Sequence, residues 1–285
     1  MQLKQAVDAA YQLFIESDVP SPRLNAELLM MFTLGCDRAY LFAHPERPLD
    51  AEEYSRYQEA IQERARGCPT QYITGHQEFW GLDFIVSPAV LIPRPETEHV
   101  IEVVLELAKS QKPDGRLKIV DVGTGSGCIA LALATELPQA EIHACDISEE
   151  ALEIACINAA RLGLESRVLF RHSDLLAAYP ERQFDFVVSN PPYVGESEAD
   201  KVQKQVREFE PKIAVFSGWQ GMDIYDRLIP QAYAALKPNG WLVVEIGYST
   251  EGQVKQRLAN WLEIQTKTDL QGIPRVIAAR KPGLG

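Results

Sequence analysis

Residues 189–194 read Ser-Asn-Pro-Pro-Tyr-Val and follow the apolar run Phe184–Val188. Two prolines close a strand, because neither can donate a ladder hydrogen bond. The residues around them offer chemistry as well as a stop signal. The Asn190 side-chain oxygen and the Pro191 carbonyl are two acceptors on a backbone stiffened by Pro191 and Pro192. Such a pair suits a planar nitrogen that carries N–H groups and whose lone pair is delocalised. Accepting from those N–H groups draws the nitrogen toward tetrahedral geometry and aims its lone pair at an electrophile. Fixed acceptors do not reorganise during the reaction. Tyr193 can cover the face of the planar group. Asn-Pro alone is more often only a turn, so the reading depends on what stands beside it.

What stands beside it is a glycine loop. The segment VDVGTGSGCIALALA places Gly123, Thr124, Gly125, Ser126 and Gly127 between a strand and a helix. Glycine there lets backbone amides approach a ligand with no Cβ in the way. The spacing G-x-G-x-G differs from the G-x-G-x-x-G that a pyrophosphate requires, so a dinucleotide is disfavoured. The next strand ends in Asp146, where a carboxylate can accept from both hydroxyls of a ribose. Asp174 follows the third strand and could accept from an adenine amino group. Together these describe an adenosine site without a pyrophosphate. S-adenosylmethionine, with S-adenosylhomocysteine as product, is the nucleoside cofactor that fits, an identity that rests more on the resemblance of this loop to known methyltransferase motifs than on its spacing.

Alternating elements are needed to position these residues. From residue 117 the chain reads strand (LKIVDV), helix (Gly127 to about Leu137), strand (EIHACD), helix (SEEALEIACINAARLG), and strands RVLFRHSD and FDFVVSN. A helix closed by Pro238 and Gly240, the strand WLVVEIG, the helix EGQVKQRLANWL and a final strand pair near 263–268 and 275–280 follow. This alternation predicts an α/β fold with a mostly parallel sheet covered on both faces. In such a sheet the Asn190 strand lies beside the glycine-loop strand. Upstream, residues 1–72 show only helical patterns, with Ser21 and Pro22 as cap and first turn and Gly35 as a stop. Residues 73–95 read as a hairpin and linker, and 96–285 as the α/β domain.

The chain has 285 residues and a formal net charge of −12, which argues against a broad phosphate-binding surface. The five cysteines form no C-x-x-C pair, and Cys128, Cys145 and Cys156 sit in apolar segments, so buried reduced thiols are expected. The five histidines lack metal-ligand spacing, and no metal is expected. No secretory leader is read at the N-terminus, and no apolar run approaches the ~20 residues of a membrane span. A cytoplasmic protein, a monomer that binds neither DNA nor membrane, is the expectation.

The glycine loop resembles the first motif of Rossmann-like methyltransferases. Asn-Pro-Pro-Tyr resembles the signature of methyltransferases acting on planar nitrogens: adenine-N6 in DNA, guanine-N2 in RNA and glutamine-N5 in proteins. The rest of the chain is more specific. FWGLDFIVSPAVLIPRPETEHVIE, with its unbroken run Leu91–Glu98, resembles the linker of the PrmC/HemK family. SPRLNAELLMMFTLGCDRAYLFAH is similar to that family's N-terminal helical domain. REFEPKIAVFSGWQGMDIYDRLI and GIPRVIAARK resemble its later segments. The resemblance implies a seven-stranded class I methyltransferase sheet with an antiparallel last strand, preceded by a small all-α domain that docks the substrate. It implies S-adenosylmethionine-dependent methylation of the glutamine in the Gly-Gly-Gln motif of class I peptide chain release factors. On that resemblance Gly123–Gly127 line the methionine part of the cofactor, Asp146 binds ribose, Asn190–Tyr193 hold the substrate amide, and Thr97 lies near the methionine carboxylate. Some members carry Trp where this chain has Leu175. The alternatives are a ribosomal-protein glutamine methyltransferase, a nucleic-acid amino-methyltransferase and a non-catalytic adenosyl-ligand sensor.

Overall fold

A computed structural model describes residues 1–110, 116–179 and 183–283. Those residues divide into two compact units, one of residues 1–76 with 204–209, the other of 77–203 with 210–285.

The first unit is helical: α1 (Leu3–Glu16), α2 (Pro22–Leu34), α3 (Arg38–Ala43), α4 (Ala51–Ala65) and α5 (Thr70–Thr74). Its core forms because apolar residues recur every three or four positions, as at Leu3, Ala6, Val7, Ala10 and Phe14 of α1. These pack with Leu29, Met30, Tyr57 and Ile61. Asp50 opens α4 as a capping box, accepting from the Glu53 amide at 2.7 Å while Glu53 accepts from the Asp50 amide at 3.0 Å. Ser21 precedes α2 as expected, but its side chain makes no cap. The segment Lys204–Phe209 joins this unit, where Arg64 donates to Gln205 at 3.2 Å.

In the second unit a hairpin, β1 (His76–Phe79) and β2 (Leu82–Ile85), turns through Trp80 and Gly81, both at positive φ. The main run is then α6 (Glu98–Ser110), β3 (Lys118–Val122), α7 (Cys128–Glu136), β4 (Glu141–Asp146), α8 (Glu149–Arg161), β5 (Val168–His172) and β6 (Phe184–Ser189). After α9 (Lys204–Phe209), which belongs to the helical unit, it continues with α10 (Lys212–Val215), α11 (Asp223–Ala235), β7 (Leu236–Glu245), α12 (Glu251–Arg257), β8 (Leu262–Thr268) and β9 (Pro274–Arg280).

The seven strands run in the order β5-β4-β3-β6-β7-β9-β8, parallel except that β9 is antiparallel to both of its neighbours. Strands β3 and β6 pair in parallel through Ile119–Asp121 and Phe186–Val188. Strand order reverses between them, which opens a crevice beyond their carboxyl ends. Alternate residues of each strand serve two cores, Ile119, Ile142 and Phe186 facing one, Val120, Val187 and Leu242 the other.

Two expectations are corrected. Helix α11 ends at Ala235, not at Pro238 and Gly240; residues 237–240 instead bulge from β7 between its pairings with Phe184 and Phe186, with Asn239 at φ +65°. Cys156 is exposed, because the face of α8 turned to the core is that of Ala151, Ala155 and Ala159; Cys36 and Cys68 are only part-buried.

Candidate active site

A cleft of about 320 Å³ lies in the second unit at the crevice between β3 and β6. Its walls include Gly123–Ser126, Asp146, Asp174, Leu175, Thr97 and Asn190–Pro192. The sequence-derived candidates therefore converge on one cavity, with two exceptions among those named: Gly127 and Tyr193 stand behind the wall.

The loop's shape has identifiable causes. Gly123, Gly125 and Gly127 are all at positive φ. A Cβ on Gly123 or Gly125 would meet nothing within 4 Å, whereas one on Gly127 would lie 3.2 Å from the Ala155 Cβ. The first two thus leave space for a ligand, and the third lets α7 approach α8. Asp121 holds the loop from below, accepting from Thr124 Oγ1 at 2.7 Å and the Ala130 amide at 3.2 Å. Its other oxygen and the Ser126 hydroxyl are buried without a partner among the described residues. Burial pushes the Asp121 carboxyl up to about 7. Asp121 was not singled out in the sequence; an acid inside the apolar run IVDV was its one signal.

Asp146 ends β4 and accepts from the Gly125 amide at 2.9 Å and the Ser148 amide at 3.0 Å. It thereby ties the loop to the second strand, and each oxygen retains acceptor capacity. Burial raises its pKa, opposed by those amides. Asp174, exposed, is paired with Arg227 at 2.5 Å. Such a pair contributes at most about 1 kcal/mol, so a ligand's donor can compete for it. Leu175 sits at φ +51° and packs at the edge of the second core.

Asn190 follows β6, whose last residue, Ser189, donates to the Val122 carbonyl at 2.7 Å and so ties the two strand ends together. The Asn190 amide nitrogen donates to Thr97 Oγ1 at 3.0 Å, and Thr97 donates to Glu245 Oε2 at 2.6 Å. Tyr193 donates to Glu245 Oε1 at 3.3 Å. Thr97, expected beside a cofactor carboxylate, lines the cleft with its one hydroxyl proton committed to Glu245. Glu245 went unnoticed in the sequence, since WLVVEIG reads as an ordinary buried strand. The linker is fixed too: buried Glu210 accepts from Arg94 and from the Ile92 amide at 3.2 Å. This places Leu91, Pro93 and Arg94 on the cleft wall. Among the described residues no cluster of three potential metal ligands occurs, and no helix is long and apolar enough to cross a membrane.

The chain is similar to known proteins in sequence and in fold. Residues 5–75 match the model of the PrmC N-terminal domain, residues 103–209 that of the methyltransferase small domain, and residues 164–261 that of the Eco57I restriction-modification methylase. A release factor glutamine methyltransferase of Koribacter versatilis is 60% identical over 99% of both chains. One of Xylella fastidiosa is 42% identical over 92% of this chain and 94% of its own. Among solved structures, the N-terminal domain of human METTL16 in complex with SAH shares the fold, with a TM-score of 0.52 at 18% identity over 78% of this chain and 82% of that one.

Proposed function

The chain belongs to the release factor glutamine methyltransferase family, and from that premise we propose that it methylates the side-chain nitrogen of the glutamine in a release factor's Gly-Gly-Gln motif, using S-adenosylmethionine. The observation that carries the chemistry is that one cleft is lined by the glycine loop, Asp146, Asn190 and Pro191 together. When bound, S-adenosylmethionine supplies an electrophilic methyl group on a sulfonium.

The residues present suit that cofactor. Gly123 and Gly125 leave space for it, and the unpartnered oxygens of Asp121 and Ser126 mark a loop with polar capacity to spare. Asp146 would accept from the ribose hydroxyls, with Asp174 and Leu175 at the adenine end. Asn190 Oδ1 and the Pro191 carbonyl would accept from the two hydrogens of the glutamine amide and turn its lone pair toward the methyl group. Tyr193, behind the cleft wall and held through its hydroxyl by Glu245, would support the acceptor pair from that side. The helical unit is assigned to holding the release factor; on α2 it exposes Leu24, Leu28 and Phe32 at four-residue spacing. Glycines beside the target would let a narrow loop reach the cleft without side-chain clash.

The purified protein, incubated with methyl-labelled cofactor, should add one methyl group to a release factor, on the glutamine side chain. Release factor, ribosomal proteins, duplex DNA and RNA are tested separately. Labelling of nucleic acid without release factor would overturn the reading, and labelling of a ribosomal protein alone would move the chain to that substrate.

Asp146→Ala should weaken cofactor binding about 10- to 100-fold for each charge-assisted ribose bond of ~1.5–3 kcal/mol that is lost. Release of the Gly125 amide adds to the loss. Equal affinities for mutant and wild type by calorimetry would remove the ribose assignment.

A further inference from the structure

We propose that Glu245, acting through Thr97, sets which end of the Asn190 side-chain amide is offered to the substrate. Both are then positioning residues for methyl transfer. The inference rests on the reading of Asn190 as an acceptor for the glutamine amide.

A side-chain amide is nearly symmetric in shape, with an acceptor at one end and two donors at the other. The prolines fix the backbone but leave that choice open. In the wrong orientation the Asn190 NH₂ would point donors at the donors of the substrate. The neighbour that decides is Thr97, whose hydroxyl has one proton and can either donate to Asn190 or accept from it. Glu245 takes that proton at 2.6 Å. An ionised carboxylate only accepts, so Thr97 is left able only to accept. Asn190 must then turn its nitrogen to Thr97, as observed at 3.0 Å, and its Oδ1 accepts no hydrogen bond among the described residues.

The relay starts from a fixed point. Glu245 is 2% exposed. Its second oxygen accepts from the Tyr193 hydroxyl, and its backbone carbonyl accepts from the Tyr225 hydroxyl at 2.6 Å. One carboxylate therefore orients Asn190 through Thr97 and holds Tyr193 directly, the first and last residues of the motif. The neutral isostere would not preserve this. A glutamine at 245 can donate to Thr97 Oγ1, which frees the hydroxyl proton to donate to Asn190 and reverses its amide.

Protonated Glu245 behaves like that glutamine. The groups facing it are Thr97 and Glu96 ahead of α6, Tyr193 after β6, Tyr225 on α11, Arg275 on β9 and Cys128 on α7. Burial, with Glu96, pushes the Glu245 carboxyl up to about 7 against the Thr97 and Tyr193 hydrogen bonds and Arg275. The protonated form gains as pH falls through that value, so kcat should fall with it.

The test measures kcat, KM for release factor and cofactor affinity in the full chain. Glu245→Gln and Thr97→Val should each lower kcat by about 100-fold with cofactor affinity within about threefold of wild type, whereas Thr97→Ser stays within about threefold in kcat. The wild-type limb near pH 7 should vanish in Glu245→Gln. In an Asn190→Asp background, where both oxygens accept, Glu245→Gln should cost no more than about threefold. A Glu245→Gln enzyme within threefold of wild type in kcat would overturn the relay. So would Thr97→Val no worse than Thr97→Ser, or cofactor affinity falling in parallel with kcat. A wild-type protein that labels no release factor would instead defeat the substrate reading.

Discussion

Asn190→Ala is expected to lower kcat by roughly 10²–10³-fold, the range seen when one fixed polar group facing a transition state is removed. Cofactor affinity should stay within about threefold, because Asn190 is read as acting on the reacting nitrogen, so its loss is felt in the transition state. The planar amide nitrogen is a weak nucleophile until its N–H groups are engaged. The Pro191 carbonyl alone can engage only one of them. Losing Asn190 also leaves Thr97 Oγ1 without its donor, although the Thr97–Glu245 bond survives. Tyr193→Ala should cost less, since it removes packing and a hydroxyl bond rather than an acceptor. Single-turnover rates with labelled cofactor and release factor provide the measurement. Turnover within a few-fold of wild type for Asn190→Ala would show that the acceptor pair is not what activates the nitrogen.

The parts of this site that the sequence disclosed are those whose chemistry is local. Gly123–Ser126, Asp146 and Asn190–Pro192 lie at the ends of strands with clear apolar patterns, so the doubly wound order alone brings them to one crevice. The parts it concealed act through space. Thr97 and Glu245 meet across 148 positions, and Arg94 and Glu210 across 116. Neither pairing follows from spacing, because an acid at the end of an apolar strand looks the same whether it is solvated or a buried hub. Short helices were hidden for another reason: six residues, as in Arg38–Ala43 and Lys204–Phe209, span too few turns for a periodic pattern to emerge. That Lys204–Phe209 joins the helical unit is a long-range packing result to which no local signal pointed.

Gly221→Ala is the second change expected to have a large effect, although position 221 contacts no ligand-facing group of its own. Gly221 is at φ +77°, and a Cβ there would lie 2.2 Å from the Tyr193 carbonyl oxygen and 3.0 Å from the Gly195 nitrogen. Both obstacles are backbone, so no rotamer change relieves the clash. The chain after Asn190-Pro-Pro must move, and about 1 Å of misplacement at a reacting centre can cost ~10²-fold in rate. Left-handed strain adds ~1–2 kcal/mol of destabilisation. Gly272→Ala separates the two effects: Gly272 is at φ +78°, and a Cβ there meets nothing within 4 Å. It should share the strain and a lowered Tm yet keep wild-type kcat. Gly221→Ala should lose roughly 100-fold or more in kcat at temperatures where both variants are folded, with cofactor binding retained because the glycine loop and Asp146 lie on other strands. Equal kcat for the two variants would mean that the Gly221 backbone does not set the position of the Asn-Pro-Pro-Tyr turn. The geometry predicts a split because the turn is clamped from two sides, by Glu245 on the Tyr193 hydroxyl and by Gly221 against the Tyr193 carbonyl, and only the glycine clamp depends on the absence of a side chain.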